Sequence, residues 1–327
     1  MVRTFVTPTV VVSKCIEFDH CRWNGDMITS HIVERLKDFV NFIPVCPEAE
    51  MGLGVPRDPI RIVGSKKGDG LVQPATGRDV TEDMIRFSES FLDTLSPVDG
   101  FILKNKSPSC GVREVKIYSA PNQGGSVGKT RGYFARSVFS RYPGIPIEDE
   151  GRLRNMRIRD HFLTRLYTFS EFSQVQESGS VANLIRFHTE NKLMLMAHNQ
   201  TLEQEMGRLV ANHDHLSPGA LTEQYSAELA YALSRAPRYT ANINVLLHAS
   251  GHFRNKLNHA EKAFFLEALE KYREGRTSIC APKNILKAWI VRFGEENLNN
   301  QTFFAPYPDQ LMELDPLDLD RGRDLWT

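Results

Sequence analysis

Four cysteines in the first third of the chain constrain its fold more than any other feature of the sequence. Cys15, Cys46 and Cys110 each lie at the end of a short apolar run or soon after one, and Cys21 follows shortly after Cys15. Runs of this length are typical of buried strands, and the patterns between them are typical of amphipathic helices. The predicted strands cover residues 7–15, 42–46 and 100–103, and the predicted helices cover residues 28–40 and 81–95.

Strands that alternate with helices predict a parallel sheet. The carboxyl ends of parallel strands meet at one edge of the sheet, where ligands bind. We therefore expect Cys15, Cys46 and Cys110 to lie near one another at that edge.

The second half of the chain has a different pattern, because from about residue 150 onward it is almost entirely helical. The long amphipathic segments cover residues 178–212, 220–235, 239–274 and 283–298. A chain of 327 residues has room for about two domains of roughly 100–200 residues. The sequence therefore predicts a Rossmann-like α/β domain with a parallel sheet over residues 1–150 and an all-α domain over residues 151–327.

Charge and hydropathy argue against a uniformly basic nucleic-acid-binding protein and against a membrane protein. The 40 basic and 40 acidic residues cancel, so binding to nucleic acid would need a local basic patch. No run approaches the ~18–20 apolar residues that span a bilayer, and the first residues lack the pattern of a secretion signal. We expect a cytoplasmic protein without a membrane partner and without disulfides. The last nineteen residues, 309–327, are acidic and are expected to form a tail.

The four clustered cysteines suit a metal centre. Thiolates from separate loops can converge on one site, and sulfur ligands select zinc, copper(I) or an iron–sulfur cluster. The chain has no Cys-x-x-Cys pair, the usual local clip of structural zinc sites. A site built from distant loops favours an enzyme with an open coordination position, while zinc binding and core packing remain alternatives. Cys280 lies outside every motif and is interpreted as a small buried apolar residue.

Four short motifs carry a resemblance to a known family. They are SKC at 13–15, CRWNG at 21–25, PVCPE at 44–48 and KNKSPSCG at 104–111. In this order they resemble the thiouracil desulfidase family, over roughly residues 5–150. The remainder resembles a helical domain that occurs fused to it, through RFH at 186–188, AH at 197–198 and NVLLH at 244–248. Together the two parts resemble the bacterial tRNA 4-thiouridine desulfidases.

The resemblance implies a cofactor and a ligand set. In that family three cysteines hold a 4Fe-4S cluster, which leaves one iron free to take the substrate's sulfur. By position at strand ends the ligands are Cys15, Cys46 and Cys110, and Cys21 stays open as a fourth candidate in place of one of them. The chain has IEF at 16–18 where the family usually has Leu-Leu-Gly, so the loop leading to Cys21 is expected to differ in shape.

The resemblance also implies a reaction, in which the thiocarbonyl sulfur of 4-thiouridine in tRNA is replaced by oxygen from water without net redox change. Glu48 is the candidate acid/base, and Ser107 would position the substrate or relay a proton. Two alternatives stay open: a desulfidase of free thiouracil or thiopyrimidine nucleotides, and a non-catalytic RNA-binding protein that contains zinc or an iron–sulfur cluster. The oligomeric state is left open.

Binding of tRNA would need a local patch of positive charge. The segment 152–165 has five arginines against one aspartate. Such a segment is more often a solvated helix face, but the resemblance makes phosphate contact an equal expectation. The candidate RNA-binding residues are Arg152, Arg154, Arg157, Arg159, Lys104 and Lys106. The histidines of the helical part, His188, His198 and His248, are interpreted as core residues.

Overall fold

The computed structural model describes residues 3–65, 68–122, 124–211 and 215–312. Within it the chain forms two compact units, one of Val6–Ser170 and one of Met1–Phe5 with Glu171–Thr327. Most of the predicted acidic tail, residues 313–327, lies outside the described residues. No helix among the described residues is long and apolar enough to cross a membrane.

The first unit contains two sheets. In chain order the strands are β1 (Thr9–Ser13), β2 (Asn41–Val45), β3 (Arg61–Ser65), β4 (Gly68–Gln73), β5 (Arg78–Asp79), β6 (Gly100–Leu103), β7 (Val115–Tyr118), β8 (Ser126–Thr130) and β9 (Ile147–Asp149). One sheet has the order β2-β1-β6-β9, and all of its pairs are parallel. The predicted α/β fold with a parallel sheet, followed by a helical part, is confirmed.

The central strands of the parallel sheet read as continuous apolar runs because they are buried on both faces. The side chains of Val10, Val11 and Val12 in β1 are fully buried, and all four residues of β6 are buried. Gly100 opens β6 where a Cβ atom would lie 2.9 Å from Leu166 Cδ1, so glycine permits this close approach.

The second sheet was not predicted. Its order is β5-β4-β3-β7-β8, and its pairs are antiparallel except for the parallel pair β3–β7. The strand β5 has two residues, and β4 begins with Gly-Asp-Gly, so neither has the apolar alternation that identifies a strand. Tertiary contacts hold this sheet instead: the carboxylate of Asp69 accepts a hydrogen bond from Arg136 Nη1 at 2.8 Å.

The helices of the first unit are α1 (His31–Leu36), α2 (Thr81–Thr94) and α3 (Tyr133–Arg141), and α4 (Met156–Ser178) runs across the division between the units. The first part of α4 belongs to the α/β unit, because Leu163, Leu166 and Tyr167 are buried and the Tyr167 hydroxyl donates to the Phe39 carbonyl at 3.3 Å. The compact units thus divide at residue 170, whereas the boundary predicted from the sequence lies at residue 150.

The second unit is helical. Its helices are α5 (Val181–Ala211), α6 (Pro218–Ala232), α7 (Tyr239–Ser250), α8 (His259–Arg273), α9 (Cys280–Phe293) and α10 (Glu296–Asn299). The predicted segment 239–274 is two helices, because Asn258 begins a new one: its side chain accepts from Glu261 N at 2.9 Å, and the Glu261 carboxylate accepts from Asn258 N at 2.8 Å. This reciprocal pair is a capping box. The helix α5 is interrupted at Asn199, whose backbone is extended.

Candidate active site

Four cysteines line one cavity of about 210 Å³ in the α/β unit. Cys15 lies just beyond the end of β1, and Cys46 follows β2 directly. Cys110 comes from the loop after β6, and Cys21 from the loop between β1 and α1. All four are buried and free of disulfides. The parallel sheet therefore brings the predicted ligand positions to its carboxyl edge.

The thiols contact one another. The Cys46 thiol donates to the backbone carbonyl of Cys21 at 3.6 Å, and interaction with the Cys15 thiol is the main reason that the pKa of Cys21 is raised to about 11. Interaction with the Cys21 thiol, followed by burial, raises the pKa of Cys46. Burial raises the pKa of Cys110 to about 12, although a hydrogen bond with Ser13 opposes this. A metal that binds here must displace the thiol protons, so its binding releases protons.

The four cysteines of the cavity, all within the described part of the chain, are not arranged as a site for a single metal ion. Among residues 3–65, 68–122, 124–211 and 215–312, no three His, Cys, Asp or Glu side chains converge on a point where one metal ion would be held. An iron–sulfur cluster is larger than one ion and takes its cysteine ligands at different irons. Cysteines from three separate loops around one cavity have the ligand chemistry that such a group needs.

Glu48 is held by an ion pair and by a hydroxyl group. Its Oε2 accepts from Arg57 Nε at 2.9 Å, and its Oε1 accepts from Ser109 Oγ at 2.6 Å and, more distantly, from Ser107 Oγ at 3.5 Å. The side chains of Glu48 and Arg57 are 11% and 4% exposed. Glu48 precedes the short helical turn Ala49–Leu53 but makes no side-chain cap there. Its carboxylate is therefore directed to the cavity.

The loop that carries Ser107 and Cys110 is fixed by its own hydrogen bonds. Ser107 Oγ accepts from the backbone N–H groups of Ser109 at 3.2 Å and Cys110 at 3.1 Å, a local pattern that serine favours. At Gly111 a Cβ atom would lie 2.7 Å from the Ser107 carbonyl oxygen, so the loop closes only around glycine. The SPSCG sequence thus fixes the position of the Cys110 backbone.

Two residues of the site were missed in the sequence. Arg57 pairs with Glu48 and also donates through Nη1 to the carbonyl of Cys21 at 3.0 Å. Ser109 lies closer to the Glu48 carboxylate than the predicted Ser107 does. The proline residues on both sides of Arg57 indicate a loop, but they do not indicate which residues Arg57 contacts. Ser109 is part of the SPSCG motif, so the sequence did contain a signal for this site residue.

The predicted RNA-binding residues lie in different environments. Lys104 lines the cavity and pairs with Glu150 at 2.5 Å. Arg152 pairs with Glu148 at 2.7 Å, and Arg159 donates to the Leu153 carbonyl at 3.5 Å. The others, Lys106, Arg154 and Arg157, are exposed, and Lys106 also lines the cavity. Their contact with RNA stays a prediction.

Comparison with known proteins separates the two parts of the chain. Residues 10–150 match the 2-thiouracil desulfurase family, and residues 192–308 match a family of unknown function, DUF1722. The uncharacterized protein YbbK of Bacillus subtilis (strain 168) is 33% identical over 109 residues, which are 31% of this chain and 72% of YbbK. Through residues 10–150 the chain belongs to the 2-thiouracil desulfurase family. All four cavity cysteines, Glu48, Arg57 and both serines lie inside the part that matches the desulfurase family.

Two further proteins resemble this member of the desulfurase family. The uncharacterized protein YbgA of Escherichia coli (strain K12) is 26% identical over 154 residues, which are 46% of this chain and 91% of YbgA. Among solved structures, the [4Fe-4S]-dependent thiouracil desulfidase TudS has 27% sequence identity and a TM-score of 0.37. The match covers 45% of this chain and 94% of TudS.

Proposed function

We propose that the chain is an iron–sulfur-dependent desulfidase that replaces the thiocarbonyl sulfur of a thiolated pyrimidine by oxygen from water, and that its substrate is 4-thiouridine in tRNA. The observation that carries the proposal is one cavity lined both by cysteines from three strand-end loops and by the Glu48 carboxylate. The reaction balances without an oxidant or reductant: the C=S compound and water give the C=O compound and hydrogen sulfide.

The cysteines of the cavity fit a 4Fe-4S cluster. We propose Cys15, Cys46 and Cys110 as its three ligands, because they come from the ends of three neighbouring parallel strands. When bound, such a cluster supplies an open iron that accepts the substrate's sulfur as a soft Lewis acid. Cys21 stays the fourth candidate, since its thiol contacts those of Cys15 and Cys46. The name of TudS supports the cofactor, because that protein depends on a [4Fe-4S] cluster.

Protons are moved by the polar side chains of the cavity. Glu48 takes a proton from the attacking water and returns one to the products, so it ends the cycle in its starting state. The guanidinium of Arg57 holds one carboxylate oxygen and leaves the other facing Ser109. Ser109 Oγ donates to Glu48 Oε1 at 2.6 Å and would pass the proton or orient the water, and Ser107 holds the loop by accepting from the amides of Ser109 and Cys110.

The choice of tRNA rests on the resemblance of both parts of the chain and on the cationic residues of the α/β unit. A base inside a folded RNA cannot reach a buried cavity, so the thiolated nucleotide must turn out of its stack. The exposed residues Arg154 and Arg157 would then contact phosphates. Lys106 would do so at the cavity itself.

Free thiouracil, or a thiopyrimidine nucleotide, is the second candidate substrate. The matched family and TudS are both named for thiouracil, which favours this alternative. Rates of sulfide release from thiolated tRNA and from free thiouracil, compared at equal concentration, separate the two. A preference for thiolated tRNA supports the proposal, and equal or faster turnover of thiouracil supports the alternative.

The cofactor is tested first, on protein purified without oxygen. We expect about four irons and at least four acid-labile sulfides per chain, with a broad brown absorption. One zinc without sulfide would remove the mechanism, and the second alternative, a non-catalytic RNA-binding protein that contains a metal, would take its place. That protein would bind tRNA equally well with and without the thiolated base.

The role of Glu48 is tested in the loaded enzyme. Glu48→Gln is expected to lower kcat by about 10²–10⁴-fold, because it removes the proton acceptor while keeping the shape of the side chain. Iron and sulfide content should not change. Glu50→Gln is the matched control, since Glu50 accepts a hydrogen bond from Cys46 N, which Gln can also accept. Equal activity of the Glu48 variant and this control would contradict the assigned role.

A further inference from the structure

Trp23 is a large aromatic residue that lies beside the cysteines. It has no role in the mechanism proposed above. It is 46% exposed. A single exposed apolar residue is ordinary on a protein surface. Trp23 differs in position, because it lines the same cavity as the four cysteines and Glu48. One part of its indole is therefore available to a molecule that enters the cavity.

The backbone of Trp23 is fixed relative to Glu48. Its carbonyl accepts from Arg57 N at 2.8 Å, and the Arg57 guanidinium pairs with Glu48. The turn that carries it closes through Gly25 N, which donates to the Arg22 carbonyl at 2.9 Å, and Gly25 has a φ of +74° that favours glycine. One residue, Arg57, thus holds both the aromatic residue and the proposed acid/base.

The surroundings of Trp23 define a class of ligand. Arg22 and Lys106 line the same cavity and carry positive charge. An aromatic face next to cationic side chains suits a nucleobase that carries phosphate, because the base stacks on the ring and the cations attract the backbone. Stacking depends little on the identity of the base, since every base has a flat π-face.

We propose that the indole of Trp23 stacks on the pyrimidine ring of the substrate while the thiocarbonyl group reaches into the cavity. This inference rests on the proposed function for the thiolated ring, whereas the stacking itself requires only a pyrimidine nucleotide. Trp23 is then a substrate-binding residue and takes no part in moving protons.

Kinetics of the loaded enzyme test the contact. Trp23→Leu keeps an apolar side chain but removes the aromatic face, so we expect KM for thiolated RNA to rise on the order of tenfold with kcat unchanged. Trp23→Phe retains a ring and should stay within about threefold of the natural protein. Val127→Ala is the control, because Val127 is an exposed apolar residue of the same unit that does not line the cavity. Equal KM values for the leucine variant and the natural protein would overturn the proposal.

A binding measurement separates the stacking from the reaction. A short oligouridylate RNA, which has no sulfur to release, should quench indole fluorescence in the natural protein, and the quenching should be lost in Trp23→Phe. If the natural protein releases no sulfide from any thiopyrimidine but this quenching is seen, the proposed function fails and the stacking stands. If sulfide is released and the quenching is the same in Trp23→Phe, the stacking is wrong and the function stands.

Discussion

The α/β unit and the helical unit bury polar side chains in different ways. In the α/β unit the buried side chains of Ser13, Glu48 and Ser109 line the cavity at the carboxyl edge of the parallel sheet, and Glu48 pairs with Arg57. In the helical unit, apart from the buried carboxyl group of Glu203, several buried polar side chains form neutral pairs between elements. His188 Nδ1 lies 3.2 Å from the Tyr225 hydroxyl, and Thr302 Oγ1 donates to Asn191 Oδ1 at 2.8 Å.

The difference separates chemistry from packing. A buried charge costs much more free energy than a buried neutral group unless it is paired, and in the α/β unit the paired charge of Glu48 lies at the candidate site. Neutral pairs satisfy the hydrogen-bonding capacity of buried groups and fix how helices pack. We therefore expect substitutions in the first unit to change turnover and substitutions of the neutral pairs in the second to change stability.

The largest effect is expected at the cysteines. Cys46→Ala should abolish sulfide release and lower the iron content, because it removes one sulfur ligand of the proposed cluster. Measurements of iron, acid-labile sulfide and sulfide release check this prediction. The matched control is Cys280→Ser, at the start of α9 in the helical unit, which should leave all three unchanged. Full iron content in the Cys46 variant would exclude Cys46 as a ligand.

The next effect is expected at the ion pair of the cavity. Arg57→Met leaves the Glu48 carboxylate buried without its partner, so the free energy of unfolding should fall by about 3–5 kcal/mol. Denaturant unfolding under nitrogen measures this, and kcat should fall as well.

A surface ion pair of the same unit provides the control. Arg78→Met breaks an exposed pair with Asp83, and its cost should stay below about 1 kcal/mol. In the double variant Arg57→Met with Glu48→Gln, part of the lost stability should return, because the unpaired charge is removed. Equal losses of unfolding free energy in the two arginine variants would show that the buried pair contributes no more to stability than the exposed pair.

The third effect concerns pH and the helical unit. Burial, followed by the charge of Lys192, lowers the pKa of His188 from 6.5 to about 4. As pH falls, the unfolded chain binds the proton first, so stability is present above pH 6.5 and is lost as the pH approaches 4. Between pH 7 and pH 5 the loss is about 2 kcal/mol. It should be absent from His188→Gln in thermal unfolding at the two pH values.

An exposed histidine of the same unit is the comparison for that variant. His259→Gln, at the start of α8, should keep the pH dependence of the natural protein. If both variants lose the same amount of stability on acidification as the natural protein, another group titrates and the assignment to His188 is wrong.

The smallest effect is expected at the partner of His188. Tyr225→Phe removes one buried hydroxyl, so the free energy of unfolding should fall by about 1 kcal/mol. Sulfide release should not change. Tyr231→Phe on the same helix is the control, because Tyr231 is 70% exposed and its hydroxyl lies at the surface. A loss of turnover in the Tyr225 variant would contradict the division between chemistry and packing.

Much of the fold was predictable because its signal is local. The central strands β1 and β6 are apolar runs buried on both faces, β2 is a short apolar run at the edge of the same sheet, and α2 covers nearly the residues that its pattern predicted. The antiparallel strands β4 and β5 were missed, since glycine and charged residues there have no apolar period. The single predicted segment 239–274 is two helices, because the capping box at Asn258 interrupts a continuous amphipathic pattern.

The sequence by itself determined which residues are candidates for the chemistry. Four cysteines, a PVCPE segment and an SPSCG segment identify ligand and acid/base types, and the alternation of strands and helices predicts the shared sheet edge. Only the tertiary structure decided the partners: Arg57 on Glu48, Ser109 closer to it than Ser107, and Cys21 against Cys15 and Cys46. The reason is physical, since a local pattern records what one segment buries, whereas an ion pair or a thiol contact depends on how distant loops meet.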